Sequence, residues 1–267
     1  ATGLGYQHDP MMHGPLQFEA TGFTFKLLGD SDYTGRLPAA VLGSLLIALP
    51  YFLRRELGRW GALAAAALLA FSPVPLYLGR FARPDIYLSF WLLLLVVAVA
   101  GYVREQRARY LYLAAASLGL AFATMEAAYL LVAIFLAFLF LAGLRELARG
   151  VWGGFRFASL SPLPAMLLFI LSLPLPRFIP GVGLFQGLLG VTLANANKSA
   201  GLEGAPLGVG IFVAGVLLTL AVVGAFWLGM RWRPWRWLAG FGIMYGIYIT
   251  LYTTFFANPA GLVTGVW

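Results

Sequence analysis

The sequence predicts an all-α protein: a polytopic bundle of about eight transmembrane helices with an interfacial helix in its first outer loop. Three observations carry this. Hydrophobic residues make up 61% of the 267 positions and charged residues only 10%, against roughly 25% charged in an average soluble domain. Mean hydropathy is +0.85. Several nearly uncharged windows reach about 20 residues, the length a helix needs to cross a bilayer core.

The chain divides into residues 1–33, read as an outer loop, and 34–267, read as the helical domain. The stretch from Tyr6 to Leu16 puts His8, Asp9, Pro10, His13 and Pro15 into eleven residues, with both histidines of the chain and one of its ten carboxylates. A polar cluster this dense on an apolar chain is a functional-site candidate. Residues 14–29 mix Phe and Leu with Gln17, Glu19 and Lys26. This segment is too short and polar to span, so it reads as a helix lying along the membrane. Asp30-Ser31-Asp32 reads as a turn and helix cap.

Hydropathy then places spans at 36–53, 60–78, 86–103, 110–124, 127–144, 157–175, 207–230 and 237–257. Pro50, Pro164 and Pro174 are expected to kink or end their helices. Trp232, Trp235 and Trp237 alternate with arginines and read as an interfacial aromatic belt. Tyr245, Tyr248 and Tyr252 fall on one helical stripe, which suits helix packing or a wall for a lipid.

Charge alternates along the loops. One set carries twelve cations and three anions, among them Arg54, Arg104, Arg145, Arg231, Glu56, Glu105 and Glu146. The other carries six cations and seven anions, among them Asp9, Asp85, Glu126, Arg36, Arg80 and Arg83. The positive-inside rule places the first set in the cytoplasm and the second outside, as in a multi-pass plasma-membrane protein. The same asymmetry explains the pI near 10, and no basic stripe is left over for nucleic acid. An N-terminus outside the membrane predicts a spanning helix upstream of Ala1. The absence of cysteine excludes disulfides, thiol catalysis and Cys-ligated metals.

Each polar candidate carries two readings. Asp9 is a base or metal ligand, or an ordinary loop residue before Pro10. Asp85 is a base, or the cap of the helix opened by Pro84. Arg80 and Arg83 are phosphate ligands or headgroup anchors. Arg36 is an interface anchor, a partner of Asp32, or a substrate contact. His8, Asp9 and His13 suit a divalent metal in ligand type, or form a satisfied loop pair. Glu126 sits at the outer end of a helix, where it meets Arg80, Arg83 or a metal, or serves the helix dipole.

The order of the motifs resembles membrane glycosyltransferases of the GT-C type, including the protein O-mannosyltransferases and the aminoarabinose transferases of lipid A. His13-Gly14-Pro15-Leu16 is similar to their HPPL or KPPL element. Arg36-Leu37-Pro38 is similar to their R-L-P helix start, and Gly79-Arg80 through Asp85 to their G-R-x-x-x-x-D loop. Phe122-Ala123-Thr124-Met125-Glu126 and the run from Tyr252 to Pro259 resemble segments of the flippase-associated proteins of archaeal-type N-glycosylation. Those proteins tend to carry Lys at the position of Met125 and Asn at that of Ala127. The acidic motif of the family's first span would precede Ala1.

The resemblance implies transfer of a sugar from a polyprenyl-phosphate donor to a lipid or protein acceptor on the outer face. It implies catalytic roles for Asp9 and Asp85. His13, Arg36, Arg80, Arg83 and Glu126 would bind substrate. A divalent ion at His8, Asp9 and His13 is the one cofactor considered. Two rival readings are a non-catalytic scaffold subunit of a larger membrane complex and a lipid-linked-sugar translocase. Against the translocase, the sequence shows no mid-helix charge and no pair of broken helices.

Overall fold

A computed structural model describes residues 13–152, 157–195, 205–259 and 261–262. Among these residues the chain is helical and contains no strand. His8 and Asp9 lie outside the described residues.

The helices follow the sequence in order. α1 is Leu16–Leu28, α2 Asp32–Ala48, α3 Gly58–Phe71, α4 Pro73–Arg80, α5 Pro84–Glu105 and α6 Ala108–Phe122. α7 is Ala127–Trp152, α8 Pro162–Ser172, α9 Gln186–Leu189, α10 Val209–Trp232 and α11 Pro234–Tyr252. All eight expected apolar segments carry helix. By length and apolarity, four of these would cross a membrane as single helices, and two more as bent pairs. α6 has 15 residues, or about 22 Å at 1.5 Å per residue, which is less than a full span.

The helix ends have local causes. Ser31 caps α2 as expected: its hydroxyl accepts the Thr34 N–H, and Thr34 Oγ1 accepts the Ser31 N–H. Proline sets the breaks. α2 gives way to a 3-10 turn, Leu49–Leu53, at Pro50. α3 and α4 meet at 55° where Ser72 is extended before Pro73. α8 meets the 3-10 run starting at Leu175 at 59°, across Pro174. These two bent pairs correct the expectation that the chain holds no broken helices. The expected span at 60–78 is one of them.

The core lies among α5, α6, α8 and α11, with Leu111, Leu118, Met166, Phe169 and Trp237 fully buried. α6 approaches α11 closely because Gly119 has no side chain. A Cβ there would stand 3.0 Å from the Met244 carbonyl oxygen. Outward positions stay apolar: Leu130, Phe138, Leu141, Phe212 and Leu220 are all exposed. A patch of this kind in a helical bundle faces lipid rather than water.

The tryptophan belt is a correction. Trp235 is 82% exposed, but Trp232 and Trp237 are 3% and 0% exposed. Trp237 Nε1 donates to Ser172 Oγ at 2.9 Å, so the polar edge of the indole is satisfied inside the core. The tyrosine stripe resolves as packing: Tyr245 donates to the Leu173 carbonyl, Tyr248 to that of Leu262 and Tyr252 to that of Phe122.

Contacts across loops separate two ends. At one end Arg104 pairs with Glu56 at 2.8 Å and Arg109 with Glu105 at 2.7 Å. At the other end Leu16 N–H donates to the Ala123 carbonyl at 3.0 Å, and the Gln17 amide donates to the Ala82 carbonyl. α5 runs from Asp85 at this second end to Arg104 at the first, about 28 Å away at 1.5 Å per residue.

Candidate functional site

α1 organises the second end. Its N-terminal turn is pinned to the turn between α6 and α7. Gly14 lies so close that an added Cβ would fall 2.3 Å from the Ala123 carbonyl oxygen. Pro15 is buried beside it. One turn on, Gln17 reaches the loop between α4 and α5. A single short helix therefore ties the His13 element to both other polar motifs.

His13 meets Glu126, Nδ1 to Oε2, at 3.1 Å. The expected partners of Glu126 were Arg80, Arg83 or a metal; the residue that faces it is His13. Glu126 directly precedes α7. Partial burial pushes its carboxyl up, but its own backbone N–H and His13 outweigh that and hold it below the ordinary carboxylate range. Among the described residues no three His, Asp or Glu side chains cluster as a metal site.

In the α4–α5 loop, Arg83 Nε donates to Asp85 Oδ2 at 3.1 Å. Asp85 does not cap the helix: Arg83 is the N-cap residue, Pro84 opens the first turn and Asp85 follows within it. The carboxylate is thus available to side-chain chemistry, while the dipole still favours it there. Arg80 ends α4. Arg36 places its guanidinium over the Phe81 ring, 5.8 Å from the centroid.

Three features at this end carry no role in the sequence reading. The first is Arg177, which is 3% exposed. Its guanidinium lies 4.3 Å from the Tyr248 ring centroid, 5.5 Å from Tyr252 and 5.8 Å from Tyr129. Ring faces stabilise a cation strongly once water is excluded. The tyrosine stripe was the available signal, but nothing in the sequence pairs it with position 177.

Glu19 is the second. Its Oε1 is buried without a hydrogen-bond partner. Burial pushes its carboxyl above the ordinary range, against a hydrogen bond from Thr254 that lowers it. The third is the turn that holds Thr254. Thr254, Phe255 and Phe256 have φ of 49°, 54° and 69°, a left-handed run that costs energy for residues with a Cβ. Flanking bonds hold it: Phe255 N–H to the Thr250 carbonyl, and Asn258 N–H to that of Thr253, both 2.8 Å.

An apolar helical bundle with acids, arginines and a histidine at one end has the form of a membrane protein with a polar site at that end. The family model for dolichyl-phosphate-mannose-protein mannosyltransferases matches residues 12–172, more than half of the chain. The chain belongs to this family, and so to the membrane glycosyltransferases. No curated protein and no solved structure matches it significantly. The match covers His13, Arg36, Arg80, Arg83, Asp85 and Glu126, and stops before Arg177 and the strained turn.

Proposed function

We propose that the protein transfers a sugar from a polyprenyl-phosphate donor to a lipid or protein acceptor, and that the reaction takes place at the end of the bundle bearing His13, Asp85 and Glu126. The observation that carries this is the double attachment of α1, through Leu16 to Ala123 and through Gln17 to Ala82. It draws three motifs spread over more than a hundred residues of sequence to one end of the bundle, in a chain whose family performs such transfers.

The chemistry is a displacement at the anomeric carbon. The acceptor oxygen forms the new C–O bond as the bond from that carbon to the phosphate oxygen breaks. A carboxylate takes the acceptor proton, and cations balance the charge left on the polyprenyl phosphate. Asp85, with Asp9 as the second candidate, supplies the base. Arg80 and Arg83 supply the cations. The guanidinium fork has five N–H donors, so the Asp85 bond at Nε leaves others for phosphate. Glu126 holds His13, and with it the N-terminus of α1, toward the substrate. A divalent ion at His8, Asp9 and His13 belongs to this proposal as an option, testable by chelation.

The charge alternation supports an outer-face location, with the Arg54, Arg104, Arg145 and Arg231 end in the cytoplasm. Single cysteines at positions 85 and 104, labelled from one side of sealed vesicles, test this; labelling of both from the same side overturns it. The bent helix pairs give a translocase some footing, because broken spans line transport paths in that class.

Transfer assays separate these readings. Asp85→Asn retains the shape of the first turn of α5 but removes the charge. Loss of transfer by a hundredfold or more, with fold intact, supports the enzyme. Unchanged transfer removes Asp85 from the mechanism. Lipid-linked-sugar movement across vesicles without any transfer supports the translocase.

A further inference from the structure

The end of α5 opposite Asp85 holds a cavity that the transfer chemistry does not use. It measures about 260 Å³ and is lined from three directions: the 3-10 turn after α2 with the arginines that follow it, the last turns of α5, and Tyr110 at the start of α6. Its height in the membrane follows from the spans that end there. Asp32–Leu53 and Pro84–Glu105 have 22 residues each and are apolar enough to cross. At 1.5 Å per residue each covers about 33 Å, slightly more than a bilayer core of about 30 Å. Arg54, Arg55 and Arg104, which line the cavity, therefore stand at headgroup level. Tyr51 and Phe52 in the same lining are exposed, as is Trp60 shortly after them, in keeping with aromatic rings at a membrane interface.

The charges here divide into paired and unpaired. Arg104 meets Glu56 at 2.8 Å and Glu105 at 3.0 Å, and Arg109 meets Glu105 at 2.7 Å. Both carboxylates are thereby taken, and Arg104 is a wall whose charge is already answered. None of the ion pairs among the described residues includes Arg54 or Arg55, and both side chains are exposed. Arg54 is set in place by its own turn: its guanidinium lies 4.1 Å from the Tyr51 ring centroid, and Nη1 donates to the Tyr51 carbonyl at 3.1 Å. A guanidinium has five N–H donors, so most of this fork remains for another acceptor. Two adjacent forks of this kind suit the oxygens of a phosphate.

We propose that this cavity binds the headgroup of an anionic phospholipid. The phosphodiester sits on Arg54 and Arg55, and the acyl chains stay in the bilayer against Phe52 and Val103, both exposed. The volume favours a headgroup alone, since pockets that enclose a drug-sized molecule run from about 300 to 1,000 Å³. Headgroup height and the aromatic rim favour a lipid over a soluble anion. A lipid held in this way joins the turn after α2 to the ends of α5 and α6, and stabilises the fold in proportion to its occupancy. The site shares no residue with the proposed transfer site, so it stands or falls separately from it.

The test uses the full chain in detergent, titrated with phosphatidylglycerol, phosphatidylcholine or soluble glycerol 3-phosphate. Thermal unfolding is followed, and retained lipid is counted by native mass spectrometry. Phosphatidylglycerol should stay bound and raise the melting temperature, and phosphatidylcholine should do both to a much smaller extent. Arg54→Gln with Arg55→Gln should weaken phosphatidylglycerol retention by about tenfold or more, the scale of two basic groups at an anionic surface, and should abolish most of the melting rise. Arg145→Gln with Arg231→Gln removes the same charge from loops that the charge pattern groups with this end. Neither residue lines the cavity, so retention and rise should stay near native. The readout is the rise on adding lipid, so a lower starting stability in either pair does not spoil it. Equal losses in the two pairs would reduce the effect to general attraction between a basic surface and anionic lipid, and would overturn the site. Equal retention of the two phospholipids would also overturn it. So would a full melting rise with glycerol 3-phosphate, which would make the cavity a site for soluble anions.

Discussion

The imidazole of His13 stands 3.1 Å from the carboxylate of Glu126, across 113 positions of sequence. The contact joins the start of α1 to the start of α7, and its charge depends on pH. The Glu126 carboxyl is held below the ordinary carboxylate range. A depressed acid contributes stability above its unfolded value and loses it as pH falls through the folded one. The native chain should therefore be slightly more stable than Glu126→Gln near pH 7, with the difference shrinking as pH falls below the ordinary carboxylate range. Exposure keeps the effect within about 1 kcal/mol. Thermal unfolding in detergent at several pH values measures it.

Glu19 has the opposite sign. Its carboxyl is raised by burial, so its contribution is fully present below the unfolded value and is lost as pH rises through the folded one. Glu19→Gln keeps a hydrogen-bond partner for Thr254 and removes the buried charge. The variant should melt higher than the native chain at pH 7 and match it near pH 4. A lower melting point at pH 7 would mean that the ionised form is the one the fold uses.

Gly14→Ala tests the seat of α1. The new Cβ would meet the Ala123 carbonyl at 2.3 Å, and backbone cannot yield as a flexible side chain does. A cost of about 1–3 kcal/mol is expected, with faster proteolysis of α1. Transfer should fall with it, because α1 carries both attachments of the site.

Trp237→Phe tests the core. It removes the donor to Ser172 Oγ and leaves a buried hydroxyl with one partner fewer. The expected cost is about 1–3 kcal/mol, much of it recovered when Ser172→Ala is added. Trp235→Phe, on the exposed neighbour, should be close to neutral.

Hydropathy located the long apolar helices, and charge alternation foretold which loops share an end. The Glu56–Arg104 pair and the Gln17–Ala82 bond bear out that grouping. The motif order pointed to one end of the bundle for His13, Arg83, Asp85 and Glu126. What the sequence concealed depends on tertiary neighbours. A Trp-Arg alternation looks the same whether the indoles face headgroups or a core, so Trp232 and Trp237 were misplaced. The break at Ser72-Pro73 was visible as a proline, but apolarity on both sides made one span the simpler reading. Arg177 and Glu19 gain their character from Tyr129, Tyr248, Tyr252 and Thr254, residues 48 or more positions away from either, and no local pattern reports such burial.

The central claim is that sugar transfer takes place at the Asp85 end of the bundle. The most direct measurement compares Arg83→Ala with Arg104→Ala, arginines at opposite ends of α5, using a radiolabelled polyprenyl-phosphate sugar and the full chain in nanodiscs. The account predicts that Arg83→Ala loses transfer by about a hundredfold, on the scale of a lost charge-stabilising group, while Arg104→Ala stays within a few-fold of native. Near-native transfer by Arg83→Ala, with the large loss in Arg104→Ala, would place the chemistry at the other end and contradict the account.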